Sequence, residues 1–232
     1  VFLNMLFPRR CPICSDIAMP KGELVCSECV DNIPYIRGPR CYRCGKELRD
    51  ERTEYCFDCS KHTMYYERGV SLFRYNQVMR RAMDGFKYKN RREYADFFTT
   101  ELIRVYGDVL QNWEADAVIP IPIHKSRWRI RGYNQAELLA EPLGKFLQIP
   151  METKLIVRTR KTKPQNKLND KERQKNIEGA FKIQENVVQL KKVILVDDIY
   201  TTGSTINACA KLLREAGVEQ VYFACICIGS GY

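Results

Sequence analysis

VILVDDIYTTGST, residues 193 to 205, runs four apolar residues into two adjacent aspartates and then into Thr201, Thr202, Gly203, Ser204 and Thr205. A buried strand does not end on two carboxylates unless they face something that needs charge. The residues after the acid pair read as a strand-to-helix turn, because residues 203–216 place Ile206, Ala210, Leu213 and Ala216 at helical spacing and close on Gly217. At such a turn, free backbone N–H groups and the positive end of the helix dipole make a ready anion site. The hydroxyls of Thr201, Thr202, Ser204 and Thr205 add donors, and Gly203 lets the backbone come close. The lysine and glycine spacing of a P-loop are missing. The pattern therefore fits one phosphate, while Asp197 and Asp198 suit vicinal hydroxyls or a magnesium-bound sugar. Together they describe a ribose 5-phosphate; the plainer alternative is a capped helix start beside two solvated acids.

Working outward, strands alternate with helices from Tyr66 onward. Residues 69–75 (GVSLFRY), 117–123 (AVIPIPI), 154–157 (KLIV), 179–183 (GAFKI) and 191–196 (KKVILV) read as strands, as does the final VEQVYFACICIG. Residues 91–110 and 134–147 read as helices, with a basic loop ahead of the second. The polar stretch 158–178 reads as a long excursion of the kind that is usually functional. This alternation predicts an α/β fold, a mostly parallel sheet with helices on both faces, and ligands bound beyond the carboxyl ends of the strands.

The N-terminal part differs. Eight of the 11 cysteines form four Cys-x-x-Cys pairs: Cys11 and Cys14, Cys26 and Cys29, Cys41 and Cys44, Cys56 and Cys59. Two such pairs complete a tetrahedral four-sulfur zinc site, so eight cysteines predict two structural zincs. A segment this small and charged needs such a staple. Disulfides are the weaker reading because nothing marks the chain for export. The spacing allows contiguous ribbons or a cross-braced pairing. Cys209, Cys225 and Cys227 sit in apolar runs and read as ordinary buried residues. The expected division is a zinc-binding module over 1–63 and an α/β domain over 64–232.

Of 232 residues, 45% are hydrophobic and 28% charged, enough for one sizeable core with a small appendage. VFLNMLFP is too short to span a bilayer and lacks a cleavage site, so a cytoplasmic protein is expected, with VFLNMLF a candidate docking helix. The net charge of +10 is uneven: residues 1–63 hold 10 Lys and Arg against 9 Asp and Glu, the remainder 28 against 19. That excess favours a polyanionic ligand.

VILVDDIYTTGST resembles the phosphoribosyl pyrophosphate (PRPP) signature of type I phosphoribosyltransferases. PIPIHKSRWRIRGYNQAELLA (120–140) and KTKPQNKLNDKERQKNIEGAF (161–181) narrow the resemblance to the ComF family of competence proteins, whose members carry a cysteine-rich zinc module. The resemblance implies a phosphoribosyltransferase-like domain with a hood from 69–90. Asp197 and Asp198 would contact the ribose hydroxyls, and Thr201, Thr202, Gly203, Ser204 and Thr205 the 5-phosphate. The pyrophosphate loop would fall near His124 to Arg127; because pyrophosphate leaves as an anion, Lys125, Arg127, Arg129 and Arg131 are its candidate cations, with magnesium bound with PRPP. A closing loop would lie within 158–178. It also implies uptake of transforming DNA with a helicase-like ATPase as partner.

The basic density exceeds what one pyrophosphate needs, since 154–175 alone holds nine Lys and Arg against two acids. Arg129, Arg131, Arg158, Arg160, Lys161, Lys163, Lys167 and Arg173 are candidate contacts for single-stranded DNA. Arg80, Arg81, Lys87, Lys89, Arg91 and Arg92 would extend the track, with Phe86, Tyr88 and Tyr133 as stacking platforms. Three functional readings remain: a competence protein binding PRPP and single-stranded DNA, an active phosphoribosyltransferase of unidentified acceptor, and a PRPP-sensing regulator.

Overall fold

The computed structural model describes residues 8–160, 176–177, 179–184 and 190–229. Two ribbons with little regular structure come first, holding a 3-10 turn at Ser27–Asn32 and a short helix α1, Phe57–Lys61. The remaining elements are β1 (Arg68–Arg74), α2 (Gln77–Tyr88), α3 (Tyr94–Gln111), β2 (Ala117–Pro120), α4 (Lys125–Arg131), α5 (Gln135–Leu147), β3 (Ile156–Arg158), β4 (Phe181–Ile183), β5 (Lys192–Tyr200), α6 (Ser204–Glu215) and β6 (Gln220–Ile228).

β1, β6, β5 and β2, in that order, form one parallel sheet. Such a sheet must be covered on both faces, and its central strands are apolar throughout: Val193 to Val196 and Phe223 to Ile228 are buried. Helices α2, α3 and α5 pack on one face together with the first ribbon, and α6, β3, β4 and the second ribbon on the other. The ribbons thus straddle the β1 edge. The chain between them lies along that edge, with Tyr35 bridging Phe73 and the Arg74 N–H donating to the Pro34 carbonyl at 2.9 Å.

The two ribbons are copies, offset by 30 residues. Arg10 bridges Ile17 as Arg40 bridges Glu47. The Cys11 N–H donates to Asp16 O at 2.8 Å, and that of Cys41 to Lys46 O at 2.7 Å. In each copy the residue after the first knuckle takes a left-handed backbone, Ser15 at φ 72° and Gly45 at φ 74°.

Two local expectations are corrected, and the hood segment gains a helix. The basic loop after β2 is helix α4, started by His124, whose ring Nδ1 accepts the Ser126 N–H at 3.2 Å, and stopped by Gly132 at φ 74°. KLIV contributes only Ile156 and Val157, extended by Arg158, and GAFKI only Phe181 to Ile183, and these make a separate antiparallel pair, β3 with β4. The polar start of α2 conceals a buried stripe of Met79, Ala82, Met83 and Phe86, so the hood segment contains a full helix. Most of the 158–178 excursion lies outside the described residues, as do VFLNMLF, Lys161, Lys163, Lys167 and Arg173. Among the described residues, no helix is long and apolar enough to cross a membrane.

Candidate functional site

The cysteines gather as Cys11, Cys14, Cys26 and Cys29 in one group and Cys41, Cys44, Cys56 and Cys59 in the other, the ligand atoms of each lying within 4.8 Å of one another. The pairing left open by the spacing is therefore contiguous. A tetrahedral zinc with bonds of about 2.3 Å places its sulfurs about 3.8 Å apart; Cys14 and Cys26 Sγ are 3.9 Å apart and Cys44 and Cys56 Sγ 3.5 Å. Backbone N–H groups of Ile13 and Met19 approach the sulfurs of Cys11 and Cys26 at 3.4 Å, as thiolates require. Both donor sets fit a closed structural zinc. In the second all four cysteines are buried, whereas in the first only Cys11 is.

The second site lies at the carboxyl end of the sheet, where a cavity of about 410 Å3 opens between β5, the α2 hood and α4. The strand that brings in the acid pair is longer than its apolar run: β5 continues through both aspartates to Tyr200. Asp197 continues the face of Val193 and Leu195, and Asp198 that of Ile194 and Val196, so the carboxylates leave the strand on opposite sides. Asp197 Oδ1 accepts the Asp198 N–H at 2.8 Å. Asp198 reaches the hood, where Lys87 Nζ meets its Oδ2 at 2.7 Å.

Electrostatics separate the two acids. Burial, and then the charge of Asp198, push the Asp197 carboxyl up to about 7, with Lys87 opposing. On Lys87, burial pulls the ammonium down, but the pairing with Asp198 outweighs it and the net shift is upward. Asp198 and Lys87 form a buried ion pair, and Asp197 beside it is poised to change charge near neutrality.

After Tyr200 the chain turns through Thr201 and Thr202 into α6, whose first residue is preceded by Gly203 at φ 79°. A side chain there would be strained, and its Cβ would overlap the Tyr200 hydroxyl. Thr202 Oγ1 and Ser204 Oγ are 2.8 Å apart, while Thr201 and Thr205 line the cavity. The opposite wall is cationic, formed by Arg127, Arg131 and Arg158. Burial, then neighbouring arginines, lower Arg127, and the same causes bring Arg158 down to about 10. Gln135, also in the wall, is buried; its Oε1 accepts from Arg131 Nη1 at 2.7 Å, which leaves its Nε2 donor without a partner. Tyr75, Met83, Ile121, Ile130 and Ile199 supply an apolar part of the lining.

The structure thus brings Asp197, Asp198, Thr201, Thr205 and Arg127 together with Arg131 and Arg158, two residues the sequence reading offered to both the pyrophosphate and nucleic acid. Thr202, Gly203 and Ser204 shape the turn, while Lys125 points to solvent outside the cavity wall. Arg129 is exposed, and Arg160, also exposed, donates to Asn176 O at 3.2 Å. Lys87 leaves the proposed DNA track for the acid pair. Phe86 is fully buried and Tyr133 nearly so, because each packs into the core beneath the hood; neither has a free ring face. Tyr88 remains exposed, its ring 4.9 Å from the Arg131 guanidinium, and Trp128 and Ile130 of α4 are exposed as well. Sequence reasoning missed Lys87 and Gln135 as cavity residues. The Met79–Ala82–Met83–Phe86 stripe offered the signal for Lys87, since it fixes which side of α2 faces inward.

Comparison with known proteins agrees with this geometry. Residues 2–60 match the double zinc ribbon domain and residues 134–231 the phosphoribosyl transferase domain. Zinc is therefore a structural component of the ribbons. Competence protein F of Haemophilus influenzae is 33% identical over 93% of this chain and 95% of its own length. Competence protein ComFC of Streptococcus pneumoniae is 31% identical over 85% and 84%, and the DNA utilization protein YhgH of Escherichia coli K12 is 30% identical over 81% and 83%. The double ribbon, the parallel sheet with its acid pair and hydroxyl turn, and similarity along nearly the whole chain place this protein in the ComF family of competence proteins, built from a double zinc ribbon and a type I phosphoribosyltransferase domain.

Proposed function

We propose that this chain acts in DNA uptake as a competence protein whose phosphoribosyltransferase-like domain, residues 64–232, binds PRPP with magnesium. The observation that carries the reading is the convergence, in one cavity, of Asp197 and Asp198, the hydroxyl turn at a helix N-terminus, and Arg127, Arg131 and Arg158. A ribose 5-phosphate needs the first two; a pyrophosphate needs the third. Magnesium would supply charge neutralisation between the acids and the leaving pyrophosphate. The chain's own residues then have separable tasks: Thr201 to Thr205 take the 5-phosphate, Asp197 and Asp198 accept from the ribose hydroxyls, and the arginines take the pyrophosphate. Calorimetry with PRPP and magnesium tests this. Binding that disappears in the Asp197→Asn, Asp198→Asn double variant is expected; no binding by the wild type ends the reading.

The zinc module, residues 1–63, and the basic surface serve partners. Ile17, Met19 and Val30 stand exposed on the first ribbon, a face suited to docking a helicase-like ATPase. Arg80, Arg81 and Lys89 are exposed on and just after α2 with Tyr88, as Arg129 is on α4 with Trp128, a charge and ring combination that fits single-stranded DNA. Such binding must weaken steeply with salt, and fluorescence anisotropy of a labelled oligonucleotide reads it. A second reading, an active transferase, is favoured by the apolar lining from Tyr75, Met83 and Ile121, which a sugar phosphate does not need and a flat acceptor does. Pyrophosphate release on adding an acceptor distinguishes it from recognition alone. The localisation this function requires is cytoplasmic.

A further inference from the structure

The second zinc ribbon is joined to the hydroxyl turn by two separate links. The first begins at its fourth ligand: Cys59 Sγ lies 3.9 Å from the Tyr66 hydroxyl, which is 2.7 Å from that of Tyr200. Tyr200 is buried, stacked on Phe223 at 4.9 Å, with Lys46, just after the first knuckle of the second ribbon, 5.9 Å from its ring. Gly203 sits directly over its hydroxyl. The second link runs from the end of the ribbon to α6. Asn207 accepts the Tyr65 N–H at 2.7 Å and donates to the Thr63 carbonyl at 2.9 Å, while its own N–H donates to the Gly203 carbonyl at 2.7 Å. The turn that must hold a left-handed Gly203 is therefore gripped from beneath by Tyr200 and from the side by Asn207, and both grips lead to the same metal site.

We propose that Tyr66 and Asn207 are positioning residues that transmit the order of the second zinc ribbon to the phosphate-binding turn, so that zinc retention and sugar-phosphate binding reinforce each other. The inference rests on the reading of Thr201 to Thr205 as the 5-phosphate site. Four buried sulfurs explain why the second ribbon is the one coupled: it is walled in by the sheet face that carries Tyr200, whereas the first packs on the other face. Any effector that binds one of two linked sites tighter must be bound tighter when the other is filled.

The test uses the full chain, the probe ribose 5-phosphate, and the variants Asn207→Ala and Tyr66→Phe. Asn207 is half-buried, so its truncation spares the core. Expected are two zincs per chain in each variant, a fall in ribose 5-phosphate affinity of about five- to tenfold per link, and faster amide exchange confined to residues 201–207. In the wild type, ribose 5-phosphate should slow release of the second zinc to a chelator; in either variant that protection should shrink by the same factor. Unchanged exchange at 201–207 in both variants, or zinc release indifferent to ligand in a wild type that binds it, overturns the proposal. A wild type that fails to bind ribose 5-phosphate defeats the phosphate-site reading instead. Amide exchange alone then decides the link, quickened exchange supporting it and unchanged exchange refuting it.

Discussion

Asp197→Asn should make the protein more stable while disabling its site. The carboxyl is pushed from its ordinary 3.8 up to about 7, by burial first and by Asp198 second. The folded form thus holds this proton more tightly than the unfolded chain does. Stability is fully present below the unfolded value and is lost as pH rises towards 7, the reverse of a salt-bridged acid. At about 1.4 kcal/mol per pH unit, the penalty builds to about 4 kcal/mol above neutrality, an upper bound because water in the cavity screens the charge. Asparagine keeps the volume and the Oδ1 acceptor for the Asp198 N–H but never carries charge, so it avoids the penalty. Urea unfolding of wild type and variant at pH 5, 6, 7 and 8, with zinc present, reads the difference. The advantage should grow from pH 5 to 7 and level off by 8, while magnesium-PRPP affinity is lost. A variant no more stable than wild type at pH 8, or one whose advantage grows towards acid, would refute the assignment of Asp197 as a carboxylate whose charged form the fold disfavours.

Lys87→Met strands the Asp198 carboxylate without its partner and should cost about 3 kcal/mol in urea unfolding at pH 7; adding Asp198→Asn should recover most of it, and failure to do so breaks the ion-pair reading. Gly203→Ala forces a Cβ into the left-handed region and onto Tyr200, so ribose 5-phosphate binding measured by calorimetry should fall at least tenfold. Gln135→Leu removes an unpartnered buried donor: the melting temperature should hold within a few degrees, whereas pyrophosphate affinity should drop about fivefold. Cys44→Ser should leave a chain that retains one zinc by metal analysis and melts markedly lower than Cys14→Ser, because only the second group is wholly buried.

The parts of this molecule that were legible share one property: a short run of residues whose chemistry is wasted anywhere else. Four Cys-x-x-Cys pairs, and an acid pair followed two residues later by Thr-Thr-Gly-Ser-Thr, have few physical uses, so both cysteine clusters and the cavity end where the acids meet the hydroxyl turn could be read before any fold was known. Lys87 and Gln135 were harder because they reach the cavity from helices on either side of it: the apolar stripe of α2 shows which side faces inward, but which residues meet across a sheet end leaves no local pattern. Helix α4 was missed because Trp128 and Ile130 are exposed, so no apolar stripe marks it. The contiguous cysteine pairing was readable after all. Arg-Cys-x-x-Cys recurs at 10–14 and 40–44, and the companion pairs come at the same 30-residue offset. Only an internal repeat demands that partners stay within each copy. Arg131 and Arg158 could not be divided between the pyrophosphate and a surface track, because net charge counts cations without telling which of them face inward.

The linker between the ribbons has a further role as a guard. By laying residues 34–36 against β1, with the Ile36 N–H donating to Leu72 O at 3.4 Å, and joined by Arg43 of the second ribbon, whose carbonyl accepts the Gly69 N–H at 2.8 Å, it occupies hydrogen-bonding groups that would otherwise be offered to any passing strand. Removing the zinc module would uncover a seven-residue edge strand, five of its residues buried in the intact chain. The severed α/β domain should accordingly self-associate edge to edge, and loss of zinc in a cell would register as precipitation before it registered as lost binding.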